Sequence, residues 1–156
     1  MSIKIFDKTL QRYAWIVLLV VGVLSLLIGL GDFILAGNGD PALVESVTGT
    51  PWTEVTATNP RIASLVNLLS RILGAWLIGF SILAVGISVT AYRKGDRWAW
   101  YALWALPLTF ALIFAAFLTA GRVSGAPMPP ALFSAPGLFL LSAFGLLLPY
   151  RRFFRK

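Results

Sequence analysis

Two opposite charges near the ends of two apolar segments are the strongest candidates in this chain for a binding site. Asp32 lies near the end of an apolar run that begins near Tyr13, and Arg71 lies near the start of a second run that ends at Tyr92. Allowing about 20 residues for one membrane crossing places both charges near the same edge of a hydrocarbon layer. Because a low dielectric strengthens the attraction between charges, we predict that they either pair or line a polar pocket.

Two polar neighbours extend this candidate site. Asn67 lies four residues before Arg71, one helical turn away, and Ser70 directly precedes it. Asp32, Asn67, Ser70 and Arg71 are therefore the candidate ligand-binding residues. One interpretation is an outward-facing pocket for a lipid headgroup or a small molecule. The other is a structural ion pair, or two charged side chains that reach water separately.

The chain lacks the groups that most catalytic and metal sites need. It contains no His and no Cys, which removes imidazole acid–base catalysis, thiolate chemistry, disulfides and the usual zinc ligands. No carboxylate lies deep within an apolar run, and no DxxD or Ser-His-Asp set occurs. We therefore predict no catalytic residue, no metal and no cofactor, and a protein that is not an enzyme.

Composition predicts that these residues are positioned by membrane-spanning helices. Hydrophobic residues make up 58% of the 156 positions and charged residues only 12%, whereas soluble domains carry about 25% charged residues. Four apolar segments are long enough to cross roughly 30 Å of hydrocarbon as helices, and they cover residues 13–36, 62–92, 98–120 and 130–150. We predict one all-α domain over residues 1–156, a four-helix transmembrane bundle that runs up-down-up-down. A cleaved signal peptide competes for the first segment, but that apolar run is longer than usual.

Local signals mark the ends of these helices. Asn59-Pro60 is typical of a helix start, because Asn caps free amides and Pro has none to leave unpaired. Pro107 lies inside the third segment and predicts a kink. The loop over residues 37–59 is predicted to hold one short helix over residues 42–47, capped by Asp40.

Basic residues predict the orientation. Ten of the thirteen lie in three segments that an even number of spans puts on one side: Lys4, Lys8, Arg12, Arg93, Lys94, Arg97, Arg151, Arg152, Arg155 and Lys156. The other side has Arg61 and Arg122, with Arg71 at the membrane boundary. The positive-inside rule then places both termini in the cytoplasm. The net charge of +7 indicates contact with anionic lipid headgroups, and no basic stripe for nucleic acid is present.

Small and polar residues recur on one face of each of the first two helices. On the first they include Gly22, Ser25 and Gly29, and on the second Gly74 and Ser81, at helical spacings. In lipid, small residues let helices approach closely and hydroxyls bond across the seam. We predict that the first two helices pack along these faces.

The chain resembles small bacterial membrane proteins of the DoxX-like kind in four features. These are the outward loop, the pattern Asn67-x-x-x-Arg71-x-x-Gly74 with Gly79 following, the basic turn and two further spans. That resemblance implies a four-helix bundle in a bacterial inner membrane and transfers no catalytic residue. We expect a multi-pass, non-enzymatic accessory or interaction protein, whose partners are membrane lipids and other membrane proteins or a second copy of itself. The alternative is a binder or carrier of a lipid or small apolar molecule through the outward-facing polar pocket.

Overall fold

The computed structural model describes residues 2–35, 41–119, 129 and 131–154. Regular structure within these ranges is helical, with no strand among them, which confirms the all-α prediction. The α-helices in chain order are α1 (Ser2–Leu35), α2 (Pro41–Thr48), α3 (Trp52–Thr58), α4 (Pro60–Ile87), α5 (Arg97–Leu103), α6 (Ala105–Thr119), α7 (Ala131–Leu147) and α8 (Tyr150–Phe154). A π-helical turn, Ser88–Tyr92, continues α4.

Three helical segments are long and apolar enough to cross a membrane: Tyr13–Leu35, Pro60–Tyr92 and Arg97–Thr119. They match the first three predicted spans, so the chain has the helices of a membrane protein. The 33 residues of the second segment would measure about 50 Å as a regular helix, well beyond a hydrocarbon layer of about 30 Å. A segment of this length, when it crosses a membrane, has ends that reach the headgroup regions or beyond.

The fourth predicted segment is shorter in the structure than in the sequence interpretation. Helix α7 has 17 residues, about 25 Å at 1.5 Å per residue, at the lower limit for a membrane crossing. It ends at Leu147 rather than at Tyr150 because Pro149 has no amide hydrogen with which to continue the helix. Pro136, in contrast, is accommodated inside α7.

Two helix boundaries are explained by a side-chain cap and by a proline. The Asn59 side-chain oxygen accepts a hydrogen bond from the Ile62 amide at 3.3 Å, with Pro60 as the first helical residue, which confirms the predicted cap of α4. In the third segment the break falls at Trp104, between α5 and α6. Pro107 explains it, because its missing amide leaves the Leu103 carbonyl without the usual donor four residues on.

The loop between the first two long helices holds two short helices instead of the single predicted one. Helix α2 covers the predicted segment, although Asp40, its predicted cap, lies outside the described residues, as do Ala36 and Ala120 at predicted span ends. Helix α3 was not predicted, since its Thr-rich sequence has low helix propensity. It packs against α4, and this tertiary contact outweighs the local preference.

The long helices pack side by side in the order α4, α1, α7 and α6, which differs from their order along the chain. Helix α1 makes its most extensive contact with α4 and also packs on α7, which in turn packs on α6. Helix α4 approaches the third segment chiefly through α5. The buried core gathers where these helices converge and includes Leu18, Leu103, Leu106, Phe110 and Leu146.

Candidate functional site

The predicted charged residues flank the seam between α1 and α4. We call this region the Asp32 end. Asp32 lies in the last turn of α1 and Arg71 in the first half of α4, and both side chains are exposed. One turn beyond Arg71, a Cβ atom on Gly74 would lie 3.1 Å from the Asp32 carbonyl carbon. The helices are thus in direct backbone contact beside the two charges.

The two neutral members of the predicted site lie nearer the interior. Asn67 and Ser70 are half-buried on α4. The Asn67 side-chain oxygen Oδ1 is buried and has no hydrogen-bond partner within the described part of the chain. An unpaired buried acceptor costs about 1–3 kcal/mol. Because this oxygen is buried, a ligand could donate a hydrogen bond to it only after the neighbouring side chains moved.

The five predicted packing residues Gly22, Ser25, Gly29, Gly74 and Ser81 are all buried. The closest approach joins Gly29 and Gly74. A Cβ on Gly74 would lie 2.7 Å from the Gly29 carbonyl oxygen and 2.6 Å from the Phe33 nitrogen. Only hydrogen fits between these backbones, so the side-chain size at these positions sets the distance between the helices.

Of the two serines in this seam, one has a hydrogen-bonded hydroxyl and the other does not. Ser25 Oγ donates to the Val21 carbonyl of its own helix at 2.8 Å. Ser81 Oγ is buried without a partner among the described residues. A seam hydroxyl that bonds neither its own helix nor the neighbouring one contributes little to helix association and carries a desolvation cost.

Two concave apolar surfaces lie along α4, away from the predicted polar site. One, of about 190 Å³, lies between α4 and the third segment and is lined by Phe80, Leu83, Ala84, Ile87, Ala102, Leu103, Ala105 and Leu106. The other is a shallower groove of about 650 Å³ on the open side of α4, lined by Ala75, Trp76, Gly79, Phe80, Ile82 and Leu83. Neither contains any of the four predicted ligand-binding residues.

The open side of α4 carries a large aromatic ring beside a glycine. Trp76 is 75% exposed, and a Cβ on Gly79 would meet no atom within 4 Å. Gly86, seven residues further along, is equally open. Gly74 and Gly79 therefore lie on different faces of one helix, the first filled by α1 and the second facing outward.

The opposite end of the spans holds a hydrogen-bonded aromatic cluster that sequence reasoning did not find. We call it the Tyr92 end. The Tyr92 hydroxyl donates to the Gly145 carbonyl at 2.7 Å, and the Trp100 indole nitrogen donates to the Leu146 carbonyl at 2.9 Å. Pro149, four residues after Gly145, has no amide to donate to that carbonyl. Side chains from the second and third segments thus cap the last turn of α7.

The C-terminal helix α8 is attached to the same cluster. Arg97 Nε donates to the Phe153 carbonyl at 2.9 Å, and its guanidinium carbon lies 5.8 Å from the centre of the Phe154 ring. The Tyr92 and Phe153 rings pack with centroids 4.9 Å apart. Pro149 was the available sequence signal, since it leaves an orphaned carbonyl at Gly145, but nothing in the sequence showed which donor would reach it.

Within ranges 2–35, 41–119, 129 and 131–154, no group of three or more Asp, Glu, His or Cys side chains is placed to hold a metal ion. The polar groups at the Tyr92 end bond to backbone carbonyls, an arrangement that stabilises structure. The outward face of α4 at Gly79 and the exposed Arg97, beyond its Nε, make no such bond with the described residues.

A scan of the chain against protein-family models gives no match, and searches of curated proteins and of solved structures find none that is similar. The resemblance to DoxX-like proteins therefore stays a prediction.

Proposed function

We propose that the chain is a multi-pass protein of a bacterial inner membrane with four spans and both termini in the cytoplasm. The three long apolar helices support this, and α7 would form the fourth and shortest span. The proposed cytoplasmic side carries ten basic residues and two acidic ones, Asp7 and Asp96, a formal charge of +8. The other side carries three basic and four acidic residues, a charge of −1. Such asymmetry is typical of the positive-inside rule.

Cysteine labelling tests this topology in a chain that has no native cysteine. Lys94 lies in the exposed turn before α5, and Thr58 is exposed at the end of α3. We expect Thr58→Cys to react with an impermeant maleimide in intact cells, and Lys94→Cys to react only after permeabilisation. The reverse pattern would invert the orientation. Labelling of both residues in intact cells would show that they lie on the same side and refute the arrangement.

Within that membrane we propose a non-enzymatic accessory protein that binds a transmembrane helix of another membrane protein. The observation that carries this proposal is the open face of α4 at Gly79. An exposed apolar face is ordinary in lipid, but Ala75 and Gly79 form a small-xxx-small pair beside a groove. At Gly74 the same helix uses a glycine for close helix contact, so an unfilled glycine face fits a second, missing helix.

Substitution of the open glycine separates partner binding from folding. Gly79→Leu places a side chain at the groove, and its Cβ would meet no described atom within 4 Å. Gly31→Leu is a matched control because a Cβ there would also meet none. We expect native mass spectrometry of protein released from its own membrane to show a stoichiometric partner. Gly79→Leu should lose that partner and Gly31→Leu should keep it. A defined homo-oligomer would identify the partner as a second copy, and a monomer that retains only small molecules would refute the proposal.

A binder or carrier of a lipid or small apolar molecule is the second candidate function, favoured by the unpaired Asn67 oxygen near Arg71 at the Asp32 end. In that case Arg71→Leu should abolish the stabilisation by a co-purified ligand while the fold is retained. If the variant keeps the ligand response, Arg71 does not contribute to such a pocket. If the wild type shows no ligand response, this candidate is excluded.

A further inference from the structure

We propose that Arg97 binds the phosphate of an anionic phospholipid at the Tyr92 end of the molecule. The proposal requires the long helices to cross a membrane but is independent of the partner helix proposed at Gly79. The sequence predicts a general contact of its basic residues with anionic headgroups, and the structure now assigns that role to one residue in a defined setting. The occupant is a lipid in the bilayer, because the surroundings of Arg97 match the interface between headgroups and acyl chains.

The guanidinium of Arg97 is held in place with most of its donors unused. A guanidinium carries five N–H groups in a planar fork that matches phosphate oxygens. Nε donates to the Phe153 carbonyl at 2.9 Å, and the Phe154 ring lies beside the guanidinium carbon at 5.8 Å. Within the described part of the chain Arg97 makes no other hydrogen bond or ion pair. Its two terminal nitrogens are therefore oriented, exposed and available.

Aromatic rings around Arg97 place it at the depth of lipid headgroups. Trp98, Tyr101 and Tyr150 are 57%, 61% and 50% exposed, as expected of an interfacial aromatic belt. The Tyr101 and Tyr150 rings pack against Phe154 with centroids 5.8 and 4.8 Å apart. Apolar rings beside a guanidinium lower the local dielectric and strengthen its attraction to a phosphate.

Charge complementarity favours an anionic lipid over a zwitterionic one. The ten basic residues of this side include Lys94, which is exposed and makes no ion pair within the described ranges. Asp96 is the only acidic residue of this side whose side chain the structure describes, and it forms no cap hydrogen bond with α5. Its exposed carboxylate is adjacent to Arg97 in the chain and would repel a phosphate bound there. Removing that carboxylate should therefore strengthen binding.

The test measures lipid retention by native mass spectrometry of the purified full-length chain in micelles doped with phosphatidylglycerol or phosphatidylcholine. We expect wild type to retain phosphatidylglycerol preferentially. Arg97→Gln should lower that preference about fivefold, the factor equivalent to about 1 kcal/mol for one basic residue at a membrane surface. Asp96→Asn should raise it. Arg61→Gln removes an exposed arginine at the opposite end and should leave it unchanged.

Three results would overturn the proposal. The first is equal preference in wild type and Arg97→Gln. The second is an equal loss in Arg61→Gln, which would indicate general charge attraction. The third is displacement of the lipid by millimolar inorganic phosphate, which would identify a soluble anion as the ligand. If Arg97→Gln fails to fold, Arg97→Lys keeps the charge but loses the planar fork, and it should show a reduced preference with a stronger dependence on salt.

Discussion

Replacing Gly74 by alanine should weaken the contact between α1 and α4, by an amount that the geometry sets. The new Cβ would lie 2.6 Å from the Phe33 nitrogen and 2.7 Å from the Gly29 oxygen, whereas ordinary contacts begin near 3.4 Å. Both neighbours are backbone atoms of α1 and cannot rotate away. The helices must therefore separate by about 0.8 Å, the difference between 3.4 and 2.6 Å.

A separation of this size has a predictable cost. A gap of about 0.5–1 Å removes a quarter to a half of the dispersion energy of each contact across the seam. Overpacking of a close-packed interior typically costs about 1–3 kcal/mol, and the gain in helix propensity from Gly to Ala offsets about 0.5–1 kcal/mol. The difference between these ranges runs from about 0 to about 2.5 kcal/mol, so we expect Gly74→Ala to lower the free energy of unfolding by about 1 kcal/mol.

The assay is reversible unfolding in mixed micelles by SDS titration, followed by far-ultraviolet circular dichroism. Gly79→Ala is the matched control on the same helix, because its Cβ would meet nothing within 4 Å. It should be as stable as wild type or up to about 1 kcal/mol more stable. Gly29→Ala, whose nearest backbone contacts would be 3.0 Å, should fall between the two. Equal stability of Gly74→Ala and Gly79→Ala would refute the close seam.

Three further substitutions are checked by the same titration. Tyr92→Phe should lower the free energy of unfolding by about 1–3 kcal/mol, because the Gly145 carbonyl loses its donor in a buried site. Tyr101→Phe changes an exposed ring and should leave that free energy unchanged. Ser81→Ala should be neutral or stabilising by about 1 kcal/mol, because its buried hydroxyl has no described partner; a clear loss would reveal a hydrogen bond across the seam. Asn59→Ala should cost about 1 kcal/mol through loss of the cap on α4, and an unchanged midpoint would contradict that role.

Much of the helical layout was predictable because membrane crossing demands an uninterrupted apolar run. The three long segments and the start of α4 at Asn59-Pro60 follow from length, hydropathy and capping chemistry alone. Helix ends that are set by a proline, which lacks an amide hydrogen, were harder to predict. Pro149 ends α7 before the predicted limit, and Pro107 produces a break at Trp104. The apolar pattern crosses Pro107 without change and continues through Pro149 to Tyr150, just before Arg151. Hydropathy alone therefore places neither helix end at its proline.

The Tyr92 end was beyond sequence reasoning for a different reason. The bond from Tyr92 to Gly145 joins residues 53 positions apart, and the donor is positioned by a π turn at Ser88–Tyr92. A π turn inserts one residue into the helical repeat and rotates the side chains that follow it. A regular helix of 3.6 residues per turn would already place Tyr92, 18 residues after Gly74, on the same face as that buried glycine. Periodicity therefore agrees with the burial of Tyr92 at 2% exposure, but it does not identify Gly145 as the partner.

The candidate polar site shows where helical periodicity stops being informative. Asp32 follows Gly29 by three residues and Gly74 follows Arg71 by three, so spacing alone groups each charge with the small residues of its helix. In the structure the glycines fill the seam while both charged side chains are exposed beside it. Long or charged side chains at the edge of a seam turn outward to water when the backbones are in contact. Residue type and backbone separation, as well as spacing, thus decide which members of one face are buried.

The surfaces and polar groups that no other part of the described structure contacts indicate where this protein can bind a partner or a ligand. At the Tyr92 end, the polar atoms of Tyr92 and Trp100 are committed to carbonyls of α7, so they fix the fold and cannot serve a ligand. The open glycine face at Gly79 and the free terminal nitrogens of Arg97 lie on the outer surface instead. Arg97 also donates to the carbonyl of the buried Phe153, so its replacement should affect both binding and stability. Gly79 meets no neighbour within 4 Å, so substitution there should change binding without lowering the unfolding midpoint. Substitutions at Gly74 or Tyr92 should do the reverse, and this difference separates recognition from stability experimentally.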